Sequence, residues 1–165
     1  MKTTNYLAGL AAITMTFTGV AAPISAYADD ISKSASIDYA TYGNFVYIIK
    51  ADKTADIVEY NGKEENVVIP AELNGYTITG ISGWSGKPTN SHPLGVITGA
   101  FKNNKTIKTI VIPDTVKYID DESFYGCTAL ESVTFGNGVE EIGDYAFENC
   151  TSLSKVYIPV SVKKI

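Results

Sequence analysis

The chain has 165 residues, enough for one ordinary domain and too few for two large ones. All 13 of its cations are lysines, set against 18 acidic residues for a net charge of −5, so no arginine fork is available to grip phosphates or guanines and nucleic-acid binding is not expected. Two cysteines and one histidine cannot supply the four ligands of a structural zinc site, and no cofactor is expected.

Residues 1–28 read as a secretory signal peptide. Lys2 starts a small-residue apolar stretch from Tyr6 to Val20, and Ala26-Tyr27-Ala28 gives the small-x-small cleavage pattern before Asp29-Asp30. Threonines interrupt the apolar run, and no later stretch is long enough to cross a bilayer. The expectation is a secreted or cell-surface protein with no membrane span after cleavage.

Residues 29–43 show no period and are expected to form a flexible leader. Phe45–Lys50 and Ala55–Tyr60 predict two strands around the turn Ala51-Asp52-Lys53-Thr54, and Asn61-Gly62 turns the chain onward. This β-hairpin, residues 44–66, is placed as a cap over the first coil. Residues 67–81 form that coil, a first, irregular repeat, because Val67-Val68-Ile69-Pro70 matches Ile110-Val111-Ile112-Pro113, 43 residues later. The interval exceeds the regular period, and an insertion over residues 82–95 absorbs most of the excess.

From residue 96 to 165 the chain repeats every 23 residues. Phe101, Phe124 and Phe147 share that step, as do Ile107, Leu130 and Leu153, and Val116, Val139 and Val162. Ile110-Val111-Ile112, Val133-Thr134-Phe135 and Val156-Tyr157-Ile158 are β-prone runs ended by proline or glycine. One coil cannot bury its own apolar side, so the coils must stack. The fold class is a repeat solenoid of short parallel β-strands with turn-rich or short helical return segments.

The pattern Leu130-x-x-Val133-x-Phe135-x-x-x-Val139-x-x-Ile142-Gly143-x-x-Ala146-Phe147-x-x-Cys150 resembles the BspA-like leucine-rich repeat. So do the leading hairpin and Val67–Ile81, so that the resemblance covers residues 44–165 apart from the insertion. It implies a leucine-rich-repeat domain on a secreted or surface-attached protein, most often bacterial, with adhesion to extracellular matrix proteins among the roles of its relatives. The chain stops at Ile165 in mid-repeat. That end is expected either to continue in a longer array or to be covered by another chain through self-association.

No catalytic constellation is expected. His92 sits in the insertion beside Ser91 with nothing to orient it as a base. The acidic groups around Asp120, Glu140 and Asp144 lack the spacing of a calcium loop. Cys127 and Cys150 occupy the same slot of adjacent coils, which suits either a disulfide or a ladder of buried thiols.

Two surfaces remain for binding. On the strand face, Asn66, Val68, Thr109, Val111, Ser132, Thr134, Lys155 and Tyr157 are expected to point outward, a weakly charged surface suited to protein contact. On the insertion, Trp84 and His92 could meet a protein or a glycan. The leading expectation is a non-enzymatic binding module for an extracellular matrix or surface protein. A structural spacer or capping piece of a longer surface protein, and a weak carbohydrate binder, are the alternatives.

Overall fold

Strands form here where β-branched and aromatic runs find backbone to pair with. The structure, a computed structural model, describes residues 39–82 and 99–165, all of them within the unit Ile37–Ile165. In chain order the strands are β1 (Tyr39–Tyr42), β2 (Phe45–Ile49), β3 (Thr54–Tyr60), β4 (Asn66–Val68), β5 (Glu72–Leu73), β6 (Tyr76–Ile81), β7 (Thr109–Val111), β8 (Tyr118–Ile119), β9 (Ser132–Thr134) and β10 (Glu141–Ile142).

β1, β2 and β3 form an antiparallel meander. The β2–β3 turn is held by Asp52, whose Oδ1 accepts from the Thr54 N–H at 3.1 Å and the Thr54 hydroxyl at 2.6 Å. The hairpin expected at 45–60 is therefore present. The expected flexible leader needs correction: its last residues, Tyr39–Tyr42, pair along β2 from Tyr39↔Ile48 to Tyr42↔Phe45. No periodicity marked them because their order comes from β2, not from a face of their own. The expected signal peptide and the rest of the expected leader lie outside the described residues.

The coils build two parallel ladders. In the first, with strand order β4-β7-β9, Asn66, Thr109 and Ser132 stand side by side, as do Val67, Ile110 and Val133, and Val68, Val111 and Thr134. In the second, β3, β6, β8 and β10 run parallel, bringing Ile57, Ile81, Ile119 and Ile142 into one buried row. This second ladder is not apparent in the sequence. Strands of two residues carry one inward side chain each, too few to show alternation, and are defined by the coils on either side.

The segments between the ladders are turns; no helix occurs among the described residues. They carry the aromatic spine. Phe124 stacks on Phe101 at 4.8 Å and on Phe147 at 4.9 Å, with planes 10° and 4° apart. Each such pair contributes roughly 0.5–1.5 kcal/mol beyond its burial. Tyr60 continues the spine from Phe101 at 5.2 Å, and Phe45 from Tyr60 at 5.1 Å. Coils approach closely enough that a side chain at Gly138 would meet the Asp114 carbonyl oxygen at 1.8 Å.

Two more expectations change. Ser82, expected to open the insertion, is buried in the coil: its N–H donates to the Ile57 carbonyl and its carbonyl accepts from Ala100 N–H, both at 2.8 Å. Trp84, His92 and the rest of the insertion lie outside the described residues. The run Val156-Tyr157-Ile158, expected as a strand, is not one. Ile158 is 45% exposed where its equivalent Ile112 is 1% exposed. Within the described residues this coil has a neighbour on one side only, and a repeat takes its order from both.

Candidate functional site

Strand alternation decides what the β4-β7-β9 sheet shows to solvent. Val67, Ile110 and Val133 point inward and are buried, so the residues flanking them point out. Asn66, Val68, Thr109, Val111, Ser132 and Thr134 form one outward patch, with Val68 68% and Val111 38% exposed. None of the six is ionisable. Asn66 Oδ1 accepts from the Thr109 hydroxyl at 2.7 Å, and Lys108 pairs with Glu65 at 2.8 Å along the margin. Lys155 and Tyr157 are exposed but outside the ladder; the Lys155 ammonium lies 4.7 Å from the Tyr157 ring centre.

Next to β4 the patch opens into a cleft of about 330 Å³. Tyr42, Gly43, Asn44 and Phe45 from the β1–β2 turn form one wall, Tyr60 and Glu64 another, and Asn66–Val68 with Pro70 the third. The hairpin tip is tied across it: Glu64 accepts from the Asn44 amide at 2.9 Å and from the Tyr60 hydroxyl, and Asn61 N–H donates to the Asn44 carbonyl at 2.8 Å. Burial first, and then the neighbouring Glu64, raises the Tyr60 phenol above its usual range, while that same hydroxyl lowers the Glu64 carboxyl. Glu64 is therefore an anion at neutral pH. The cleft ends the aromatic spine, and no pattern in the sequence marks it, because its walls lie on segments that only folding brings together.

A second polar cluster joins the meander to the coils. Asp56, 6% exposed, pairs with Lys50 at 2.7 Å and accepts from the Tyr118 and Thr79 hydroxyls at 2.5 and 3.3 Å. Lys50 also donates to Tyr118 at 2.7 Å and to Thr79 at 3.2 Å. Burial, and then Asp56, raises the Tyr118 phenol. Nearby, Asp120 accepts from the Ser82 hydroxyl at 3.3 Å, and burial pushes its carboxyl up to about 6. These groups satisfy one another and connect β2, β3, β6 and β8.

Cys127 and Cys150 are free thiols, both buried. Each donates to the carbonyl 26 residues earlier, Cys127 to Phe101 at 3.0 Å and Cys150 to Phe124 at 3.1 Å. Hydrogen bonding to Cys150, followed by burial, raises the Cys127 thiol well above its ordinary value, which suppresses the reactive thiolate.

No curated protein matches the chain. Among solved structures it is similar to the T. pallidum Leucine Rich Repeat protein (25% identity, TM-score 0.63), which it covers over 52% of that chain and 76% of its own. It is also similar to a leucine rich cell surface protein from Faecalibacterium prausnitzii (32% identity, TM-score 0.62), over 33% of that chain and 79% of its own. A leucine-rich repeat protein from Bacteroides capillosus matches at 25% identity and TM-score 0.61, over 87% of that chain and 77% of this one. The chain thus spans about half the length of the first of these and a third of the second. The family described as BspA type Leucine rich repeat region (6 copies) matches residues 96–165. Those residues, with the coil-to-coil register and aromatic spine described above, belong to the BspA-type leucine-rich repeats.

Proposed function

We propose that this chain is a non-enzymatic protein-interaction module, exported through residues 1–28 and displayed outside the cell, that holds an extracellular protein ligand on its β4-β7-β9 face. In this reading the β1-β2-β3 meander caps the first coil of a solenoid, which its parallel β3–β6 pairing supports. The observation that carries the proposal is the outward patch from Asn66 to Thr134: unionised, partly apolar, and fixed on a ladder whose backbone cannot shift without breaking its register. Such a surface loses little order on binding and has few charges to desolvate. The cell-surface description of the Faecalibacterium relative agrees with the location.

The test is binding of the purified chain to immobilised extracellular matrix proteins and glycans, beside the variants Val111→Glu and Thr134→Glu. Saturable binding to one protein, weakened about tenfold or more by a charge placed at the centre of the patch, is the expected result. Glycan binding that both variants retain would shift the site toward the insertion that carries Trp84 and His92. Absence of binding to any ligand would favour the structural spacer.

A further inference from the structure

Parallel ladders alternate the direction in which successive residues aim their backbone groups. In β4 two hydrogen bonds set that direction: the Glu65 carbonyl accepts from Thr109 N–H at 3.0 Å, and Ile69 N–H donates to the Val111 carbonyl at 2.9 Å. Residues 65, 67 and 69 therefore face β7. Asn66 and Val68 face the other way, away from the sheet, and none of their four backbone groups has a partner among the described residues. They stand two residues apart, about 6.6 Å along the strand, and they open into the cleft lined by Tyr42, Phe45, Tyr60, Glu64 and Pro70.

The geometry points to this edge as a docking site for an extended polypeptide segment of a partner protein, added to β4 as a further strand. The inference deepens the protein-interaction reading and rests on it. The chemistry selects the occupant. Two donors and two acceptors in line at strand spacing are satisfied together by another extended backbone, the requirement that β-strand addition meets. A bare edge would offer no more than that. Here a wall of aromatic rings stands beside it, with Phe45 and Tyr60 5.1 Å apart, to receive one apolar side chain. The Glu64 carboxylate, exposed and kept ionised by its bonds from Tyr60 and Asn44, faces the same cleft and complements a lysine or arginine. The segment is thus extended, with an apolar residue for the ring wall and a basic residue near it. Proline is excluded where Asn66 and Val68 need partners.

Val68→Pro isolates the edge from the fold. Its N–H makes no bond to β7, so proline removes an edge donor and fills the cleft with its ring while the ladder keeps every bond. The probe is a phage-displayed random-peptide library panned on the full chain, followed by affinity measurement of the enriched peptides on the chain, on Val68→Pro, on Glu64→Gln and on Val111→Glu. Melting temperature and far-UV circular dichroism verify that each variant is folded. Enriched peptides are expected to carry an apolar and a basic residue two positions apart, on one face of the strand. They should lose about tenfold in affinity on Val68→Pro, the loss of one backbone hydrogen bond plus exclusion by the ring. A similar loss is expected when the peptide's own alternate amides are N-methylated, and a smaller one on Glu64→Gln. Failure to enrich any peptide, or equal affinity for Val68→Pro, overturns the edge site. Loss on Val111→Glu with full binding to Val68→Pro overturns it too, while upholding the strand-face reading. A dimer of the chain that Val68→Pro dissolves, with no peptide competing, would give the edge to a second copy and overturn the partner assignment.

Discussion

Asp120 shows how one residue acquires its behaviour from three coils. Burial raises its carboxyl to about 6; the Ser82 hydroxyl pulls in the other direction, and the charges of Asp56, Asp121 and Glu141 add to the rise. A carboxyl that holds its proton more tightly folded than unfolded loses stability as pH rises from its unfolded value, about 4, through its folded one. Asp52, Glu64 and Glu140 carry lowered values, so their contributions are complete above about pH 4.5. Among the described carboxyls with displaced values, Asp120 is the one that changes charge between about pH 5 and 7. Thermal unfolding across that range should show the melting temperature falling more steeply with pH in the parent chain than in Asp120→Asn, the variant being the more stable at the upper end. Equal slopes in both proteins would remove Asp120 from the account.

Among the elements, the meander is fastened to the coils by parallel pairing of β3 with β6 and by the Lys50, Asp56, Thr79 and Tyr118 cluster. A buried carboxylate with three partners does not tolerate removal of one side alone. Asp56→Ala leaves the Tyr118 hydroxyl and the Lys50 ammonium half-buried without their acceptor, and should cost about 2–4 kcal/mol. Tyr118→Phe should cost about 1–2 kcal/mol, and the two changes combined less than their sum, by a coupling of roughly 0.5–3 kcal/mol. Urea unfolding of the four proteins measures the cycle; strict additivity would show that the cluster does not hold the elements together. By contrast, the exposed Lys163–Glu140 pair, at 2.5 Å, should contribute little.

Across the whole molecule, order should track the number of stacked neighbours. The coil holding Phe124 is covered on both sides, by the coils of Phe101 and Phe147. Residues 155–161 have described neighbours on one side only and no ladder bonds. Native-state hydrogen exchange should therefore find amides near Phe124 among the slowest and those at 155–161 among the fastest, with β9 and β10 between them. Uniform protection along the array would mean that the coils unfold as one unit and that contact with neighbours does not set local stability.

The stack is legible in the amino-acid sequence without any coordinates. A 23-residue step in Phe101, Phe124 and Phe147, and in Ile110, Val133 and Val156, can be read because each coil must bury the same slots against the next. The outward set from Asn66 to Thr134 comes from the same alternation. Folding adds its own features where elements without a shared period meet. Tyr42, Phe45, Tyr60 and Glu64 become a cleft beside β4 because the meander folds back on the first coil. Two-residue β8 and β10 exist because backbone on either side completes them. Val156–Ile158, β-prone by every local signal, is not a strand. Periodic burial repeats along the chain and can be counted there; an edge, a cleft or a paired charge depends on which distant backbone arrives beside it.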